Sequence, residues 1–428
     1  MKTTTGFHQW TQDKPQTMTK PQFGDKMARR IVLGFLGGLS HGSLKVYEPC
    51  ADSVPLAFGD DSSTLNCDIT VHNFAFYRMI MLNGSIGAGE AYMAGYWSSS
   101  DLTKVIQLIS RNIDKLNKLD HSRNIFSLGY QRLIHRLAPN SLSGSKKNIH
   151  AHYDLSNELF AQFLDERMMY SSAVFDDDHR DIESAAENKL RIIGEKLALK
   201  SHHHVIEIGS GWGGMSVYLA KTYGCKVTTT TISQQQYHYT KALIEREGLG
   251  DLVTVLDQDY RLLEGRYDRL VSIEMIEAVG HQYFDVFFRK CNELLKPQGR
   301  MVIQAITIPE QRYGIAKRNV DFIQRYIFPG GCLPSVEIML NTTGKHTDLQ
   351  LRDIDEIGLD YAKTLELWRK RFMAAQGSVR ELGFDDVFMR LWEFYLCYCE
   401  GGFLERAIGT VQMTMDKVCI EAEDSQKQ

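Results

Sequence analysis

One stretch constrains the chain more than any other. Residues 205–208 are a short apolar run ending in Glu207-Ile208, and Gly209-Ser210-Gly211-Trp212-Gly213-Gly214 follows at once. Residues 215–223 then take helical spacing. Glycines between a strand and a helix permit a tight turn and let a ligand approach the backbone. The helix start adds free N–H groups. The spacing is neither the G-x-G-x-x-G of dinucleotide sites nor a phosphate loop ending in Lys-Ser/Thr. Alone, it also fits a plain βα turn without a ligand.

Around this loop, strand and helix patterns alternate. Residues 190–199 read as helix, 226–232 (KVTTTTI) as strand, 235–247 as helix and 253–256 as strand. Strand 267–273 (YDRLVSI), helix 283–295, the turn 296–299 and strand 300–306 complete the series. This alternation predicts an α/β fold with a parallel, doubly wound sheet. Ahead of it, 63–72 (STLNCDITVH) alternates like a strand, 83–92 (NGSIGAGEAY) reads as a glycine-rich turn, and 102–117 as a helix. The expected organisation is a mobile tail over 1–26, a small mixed α/β domain over 27–140, a linker at 141–148 and a catalytic domain over 149–420.

Composition excludes some functions. With 49 basic and 53 acidic residues in 428, the net charge of −4 gives no basic field for nucleic acid. The eight cysteines form no C-x-x-C pair, which argues against a metal framework and for reduced thiols in the cytoplasm. The apolar run at 31–39 is far short of the ~20 residues that span a bilayer; it reads as part of an amphipathic helix over 27–39. His202-His203-His204 reads as an exposed loop.

HYDLSNELF (152–160), MYSSAVF (169–175), VIEIGSGWGGMSVYLA (205–220), TISQQQ (231–236), QDYR (258–261), VSIEMIEAVG (271–280), YIFPGGCLPS (326–335) and FYLCYCEGGF (394–403) occur in order. Together with GEAYMAGYW (89–97), they resemble the cyclopropane-fatty-acyl-phospholipid synthase family. The resemblance implies a Rossmann-like class I methyltransferase sheet and a smaller N-terminal domain that contacts lipid. The implied activity moves the methyl of S-adenosylmethionine to a cis double bond of a phospholipid acyl chain. An alkene is a weak nucleophile, so the site must align it, exclude water and tolerate a cation. In the family a bound bicarbonate then removes a proton.

By this resemblance the cofactor lies against Tyr170, Ser171, Glu207, Gly209, Ser210, Gly211 and Gly213, with Thr231, Ile232 and Gln236 beyond the second strand. Asp259 and Tyr260 fall near the adenine. Bicarbonate would be held by Glu277, Tyr361 and the backbone amides of Ser172 and Ile306. Gln304 stands where the family has histidine, and it can donate a hydrogen bond but not shuttle a proton. Ser172 replaces a cysteine, Glu274 a glycine and Ala278 a histidine. Cys399 matches a family position near the site, although methylation does not need its thiol. Two products stay open: a cyclopropane, or a methyl-branched or methylene chain. A lipid-binding protein without activity is a further alternative. The resemblance implies a homodimer at the inner membrane face, and the basic amphipathic stretch 311–329 is the expected lipid contact.

Overall fold

The computed structural model describes residues 23–49, 54–113 and 155–418. The tail up to residue 22, the linker expected at 141–148, and His152 and Tyr153 lie outside the described residues. The chain divides into two compact units.

The first unit comprises residues 1–136, 319–327 and 365–407. The last two segments fall within the region that the sequence boundaries give to the catalytic domain. Its sheet runs β2-β1-β3-β4, built from β1 (Ser43–Tyr47), β2 (Leu56–Gly59), β3 (Asn66–Val71) and β4 (Trp97–Ser98). The helix Phe23–Leu36 replaces the one expected over 27–39 and buries Ala28, Val32 and Leu36.

The glycine-rich turn expected at 83–92 is instead helical. The helix Ala75–Met93 passes through it, broken only at Gly84, whose φ is +54°. The other glycines here serve packing: a Cβ on Gly89 would lie 2.4 Å from the Phe322 ring. Likewise a Cβ on Gly401, in the helix Asp386–Leu404, would lie 2.8 Å from Ile106 of the helix Leu102–Arg111. Polar contacts join the same partners: Tyr92 donates to Glu393 at 2.8 Å, and Arg111 pairs with Glu405 at 2.6 Å.

The second unit comprises 137–318, 328–364 and 408–428. Its sheet contains β5 (His204–Ile208), β6 (Lys226–Thr231), β7 (Val253–Asp257), β8 (Tyr267–Ile273), β9 (Leu295–Thr307), β10 (Leu349–Glu356) and β11 (Gly409–Lys417). Their order is β10-β11-β9-β8-β5-β6-β7. The five strands from β9 to β7 are parallel, as the alternation predicts, but β11 pairs antiparallel with both β9 and β10.

Helices on both faces explain the near-continuous apolar strands. Val205, Val227, Val271 and Val302 pack with the helices Ile182–Lys196 and Gly214–Tyr223. Ile206, Leu270, Met301 and Ile303 pack on the other face with the helix Phe284–Leu294. The edge strand β10 is almost wholly exposed and rich in acids, which discourages pairing with another chain. Strand order reverses between β5 and β8, and open α/β sheets bind ligands beyond the strand ends at such a point. The three histidines do not form an exposed loop: His203 is buried and His204 begins β5.

Candidate active site

The glycine loop lies at that reversal. Gly209, Gly211 and Gly213 have φ of +97°, +49° and +88°, so all three sit where side chains are disfavoured. The amides of Gly209 and Ser210 donate to the Thr230 carbonyl, tying the loop to β6. A Cβ on Gly211 would meet nothing within 4 Å, so the loop backbone is open on that side. Trp212 is buried; its ring packs on Phe160 at 4.8 Å and its Nε1 donates to Asn157 at 2.8 Å. Tyr170 contacts Phe160 edge-on at 5.1 Å, which brings segment 157–170 to the loop.

The residues expected at the cofactor form three groups. Glu207 is buried beneath the loop and accepts a hydrogen bond from Ser216 in the following helix. Burial pushes its carboxyl up to about 7, against that hydrogen bond. Glu207 therefore braces the loop from within. At the end of β6, Thr231 donates to the Gln236 oxygen at 2.9 Å, leaving Gln236 Nε2 as a donor. Ile232 beside them is half-buried. After β7, Asp259 is buried and holds Arg261 at 2.8 and 2.7 Å, while Tyr260 packs edge-on against Phe287.

Beyond β8 lies the chemical centre. A Cβ on Gly209 would sit 3.2 Å from the Met275 side chain, so the loop and the turn carrying Glu274 and Glu277 are neighbours. Both glutamates are half-buried as whole residues, with their carboxyl groups enclosed. Glu274 Oε1 accepts from the Ser172 amide at 2.9 Å and from Gln304 Nε2 at 2.8 Å. Its Oε2 accepts from the Tyr361 hydroxyl at 2.7 Å. Gln304 is oriented by Gln412, which donates to its oxygen at 3.0 Å. Glu277 Oε1 accepts from the Ile306 amide, while its Oε2 is buried and meets no hydrogen-bonding group among the described residues.

The two carboxyls titrate as neighbours. Burial, then the Glu274 charge, pushes Glu277 up to about 8. Burial also raises Glu274, but Gln304, the Ser172 amide, Tyr361 and the Lys189 charge oppose it. The shared negative charge therefore rests mainly on Glu274, and Glu277 keeps its proton near neutrality. Lys189 is fully buried and donates to Ser171 at 2.6 Å. Burial lowers it to about 8, against the attraction of Glu274 and Asp165.

Ser172, Glu277, Gln304, Ile306 and Tyr361 thus gather in one place. Cys399 lies in the helix Asp386–Leu404 of the first unit, where burial holds its thiol protonated. Sequence reasoning missed Lys189 and Gln412. Lys189 sits at helical spacing from Ile182, Ala185, Ala186 and Ile193, all buried, and a lysine on such a stripe is the signal.

A bicarbonate ion does not fit these residues, contrary to expectation. The hydrogens of Ser172, Gln304 and Tyr361 that would hold it are directed at Glu274. A second anion beside an enclosed carboxylate would also be repelled.

A family model described as mycolic acid cyclopropane synthetase matches residues 140–413. The chain is 37% identical to a tuberculostearic acid methyltransferase of Mycobacterium tuberculosis, over 80% of this chain and 81% of that protein. It is 36% identical to the cyclopropane-fatty-acyl-phospholipid synthase of Escherichia coli, over 82% of this chain and 88% of the relative. Among solved structures, a mycolic acid cyclopropane synthase, CmaA1, complexed with SAH and CTAB, is similar with a TM-score of 0.60 and 29% identity. That match covers 64% of this chain and 98% of the other. The chain belongs to the mycolic acid cyclopropane synthetase family, and it is an S-adenosylmethionine-dependent methyltransferase of the cyclopropane-synthase kind.

Proposed function

We propose that this enzyme methylates the cis double bond of an unsaturated phospholipid acyl chain and closes the product to a cyclopropane. The observation that carries this reading is the enclosed Glu274–Glu277 pair beside the glycine loop. S-adenosylmethionine supplies an electrophilic methyl group. An alkene has no proton to lose before it attacks, so no base is needed at that stage. Attack puts positive charge on the acyl chain, and the net negative charge of the carboxyl pair stabilises it. A base is needed only afterwards, to take a proton from the new methyl as the ring closes. The tight packing of Trp212, Phe160 and Tyr170 keeps water from the cation.

A second reading, a methyl-branched or methylene product, is favoured by the likeness to a tuberculostearic acid methyltransferase. Lipid reaches the site from a membrane surface to which the protein docks peripherally. Among the described residues no helix is long and apolar enough to cross a membrane.

The test uses vesicles of cis-monounsaturated phospholipid and cofactor with a trideuterated methyl. The expected fatty acid retains two deuteriums and co-migrates with a cyclopropane standard. Retention of three means that the chain lost the proton, which overturns ring closure. Two deuteriums in a methylene product favour the second reading.

A further inference from the structure

We propose that Glu274 is the base of this enzyme, built into the chain at the position where relatives hold an exogenous bicarbonate. The inference rests on the alkene-methylating function above and assigns its proton-accepting step.

Four features support it. The donors that the resemblance gives to bicarbonate, the Ser172 amide, the Tyr361 hydroxyl and the Gln304 amide, all reach the Glu274 carboxylate. A carboxylate offers about four lone-pair sites, two on each oxygen. Two donors meet Oε1 and one meets Oε2, so Oε2 keeps a lone pair for a proton. Glu274 also has a φ of +49°, a conformation that glycine adopts freely and glutamate does not. Backbone strain of this kind persists where the surroundings fix it, and here three side-chain anchors and the Glu274 N–H to the Gln304 carbonyl do so. Finally, Gln304 suits a carboxylate that belongs to the chain. Its nitrogen donates to Glu274 while its oxygen is held by Gln412, which fixes the amide without a titrating group.

The step balances without another reactant. Methyl transfer breaks the S–CH3 bond, forms a C–CH3 bond and leaves the charge on the adjoining acyl carbon. Glu274 Oε2 takes a proton from the new methyl, and that C–H electron pair forms the last ring bond. Glu274 ends as the acid and returns to the carboxylate by releasing its proton as products leave. Glu277, with its retained proton, positions the Ile306 backbone and adds no second charge. Because the base is tethered, turnover should not depend on dissolved carbonate.

The experiment compares wild type, Glu274→Gln and Glu274→Gly in decarbonated buffer and in buffer with added bicarbonate, using unsaturated phospholipid vesicles. The wild-type rate should be the same in both. Glu274→Gln should lose ~100-fold or more, without rescue, because the amide fills the space but accepts no proton. Glu274→Gly opens the cradle and relieves the strained φ, so added bicarbonate should raise its rate. Calorimetric titration with S-adenosylhomocysteine checks that each variant is folded. Line broadening of carbon-13-labelled bicarbonate gives a readout independent of turnover: the glycine variant should bind it and wild type should not. Stimulation of wild type by bicarbonate, bicarbonate binding to wild type, or full activity of Glu274→Gln overturns the proposal. If wild type makes no lipid product in either buffer, the acceptor is wrong, and the binding comparison still decides on Glu274.

Discussion

Glu277 and Lys189 are both displaced to about 8, from opposite sides. For Glu277 the folded value lies above the ordinary 4.5. Between these values the unfolded chain has lost the proton and the folded protein keeps it. Stability therefore falls as pH rises through this window, by about 1.4 kcal/mol per unit at most, and levels off above the folded value. Lys189 works the other way: its folded value is depressed, so its contribution to stability is lost as pH falls from 10.5 to about 8. Glu277→Gln keeps an acceptor for the Ile306 amide and removes the titration. Chemical denaturation should show this variant gaining on wild type between pH 5 and pH 8. An equal difference at both pH values would mean that Glu277 ionises normally. Asp165, near Lys189, is also raised by burial and adds its own slope, which the Glu277→Gln comparison cancels.

At the scale of elements, the glycine loop separates folding from binding. Gly213 has φ +88°, and a Cβ there would lie 2.8 Å from the Thr240 methyl. Gly211 has φ +49° and open space. Gly213→Ala should destabilise the protein by ~2–3 kcal/mol through strain and overpacking. Gly211→Ala should cost only ~1 kcal/mol but weaken S-adenosylhomocysteine binding, because its new methyl stands on the open side of the loop. Thermal melts and calorimetric titration separate the two. Equal affinity in Gly211→Ala would place the cofactor elsewhere.

The loop and the five parallel strands were legible because apolar runs and alternating glycines are local signals. The glycines of 83–92 misled for the same reason: a glycine that allows close helix packing is the same letter as one that makes a turn, and only Phe322, far along the chain, tells them apart. Strand β10 escaped notice because an exposed, acidic edge strand carries no apolar alternation. At the site, Glu274 was visible as a departure from glycine. Its meaning was not, because Ser172, Gln304 and Tyr361 are brought to it by the fold from about 30 to 100 positions away.

Across the whole molecule, the stretch 311–329 shows how one segment divides its labour. It is not one amphipathic helix but the short helices Glu310–Ala316 and Phe322–Tyr326. Phe322 and Ile327 are core residues, and Tyr326 donates to Glu90 at 2.5 Å, so the expected lipid-facing side is partly interior. Ile315 remains 53% exposed. Phe322→Ala should cost ~3–5 kcal/mol of stability. Ile315→Ser should leave the melt within ~0.5 kcal/mol and lower co-sedimentation with anionic vesicles. If Ile315→Ser sediments like wild type, the lipid contact lies elsewhere.

The strand β11 and the helix Asp386–Leu404 are neighbours in sequence but belong to different units. The helix receives the N-terminal residues Tyr92 and Ile106; the strand fits between β9 and β10. Both units are thus completed by the last part of the chain to be synthesised. On the ribosome, the apolar surfaces awaiting residues 386–417 stay uncovered until translation is nearly over. A nascent chain halted before Asp386 has two unfinished domains instead of one finished and one pending, and should be a substrate for chaperones and proteases throughout its length.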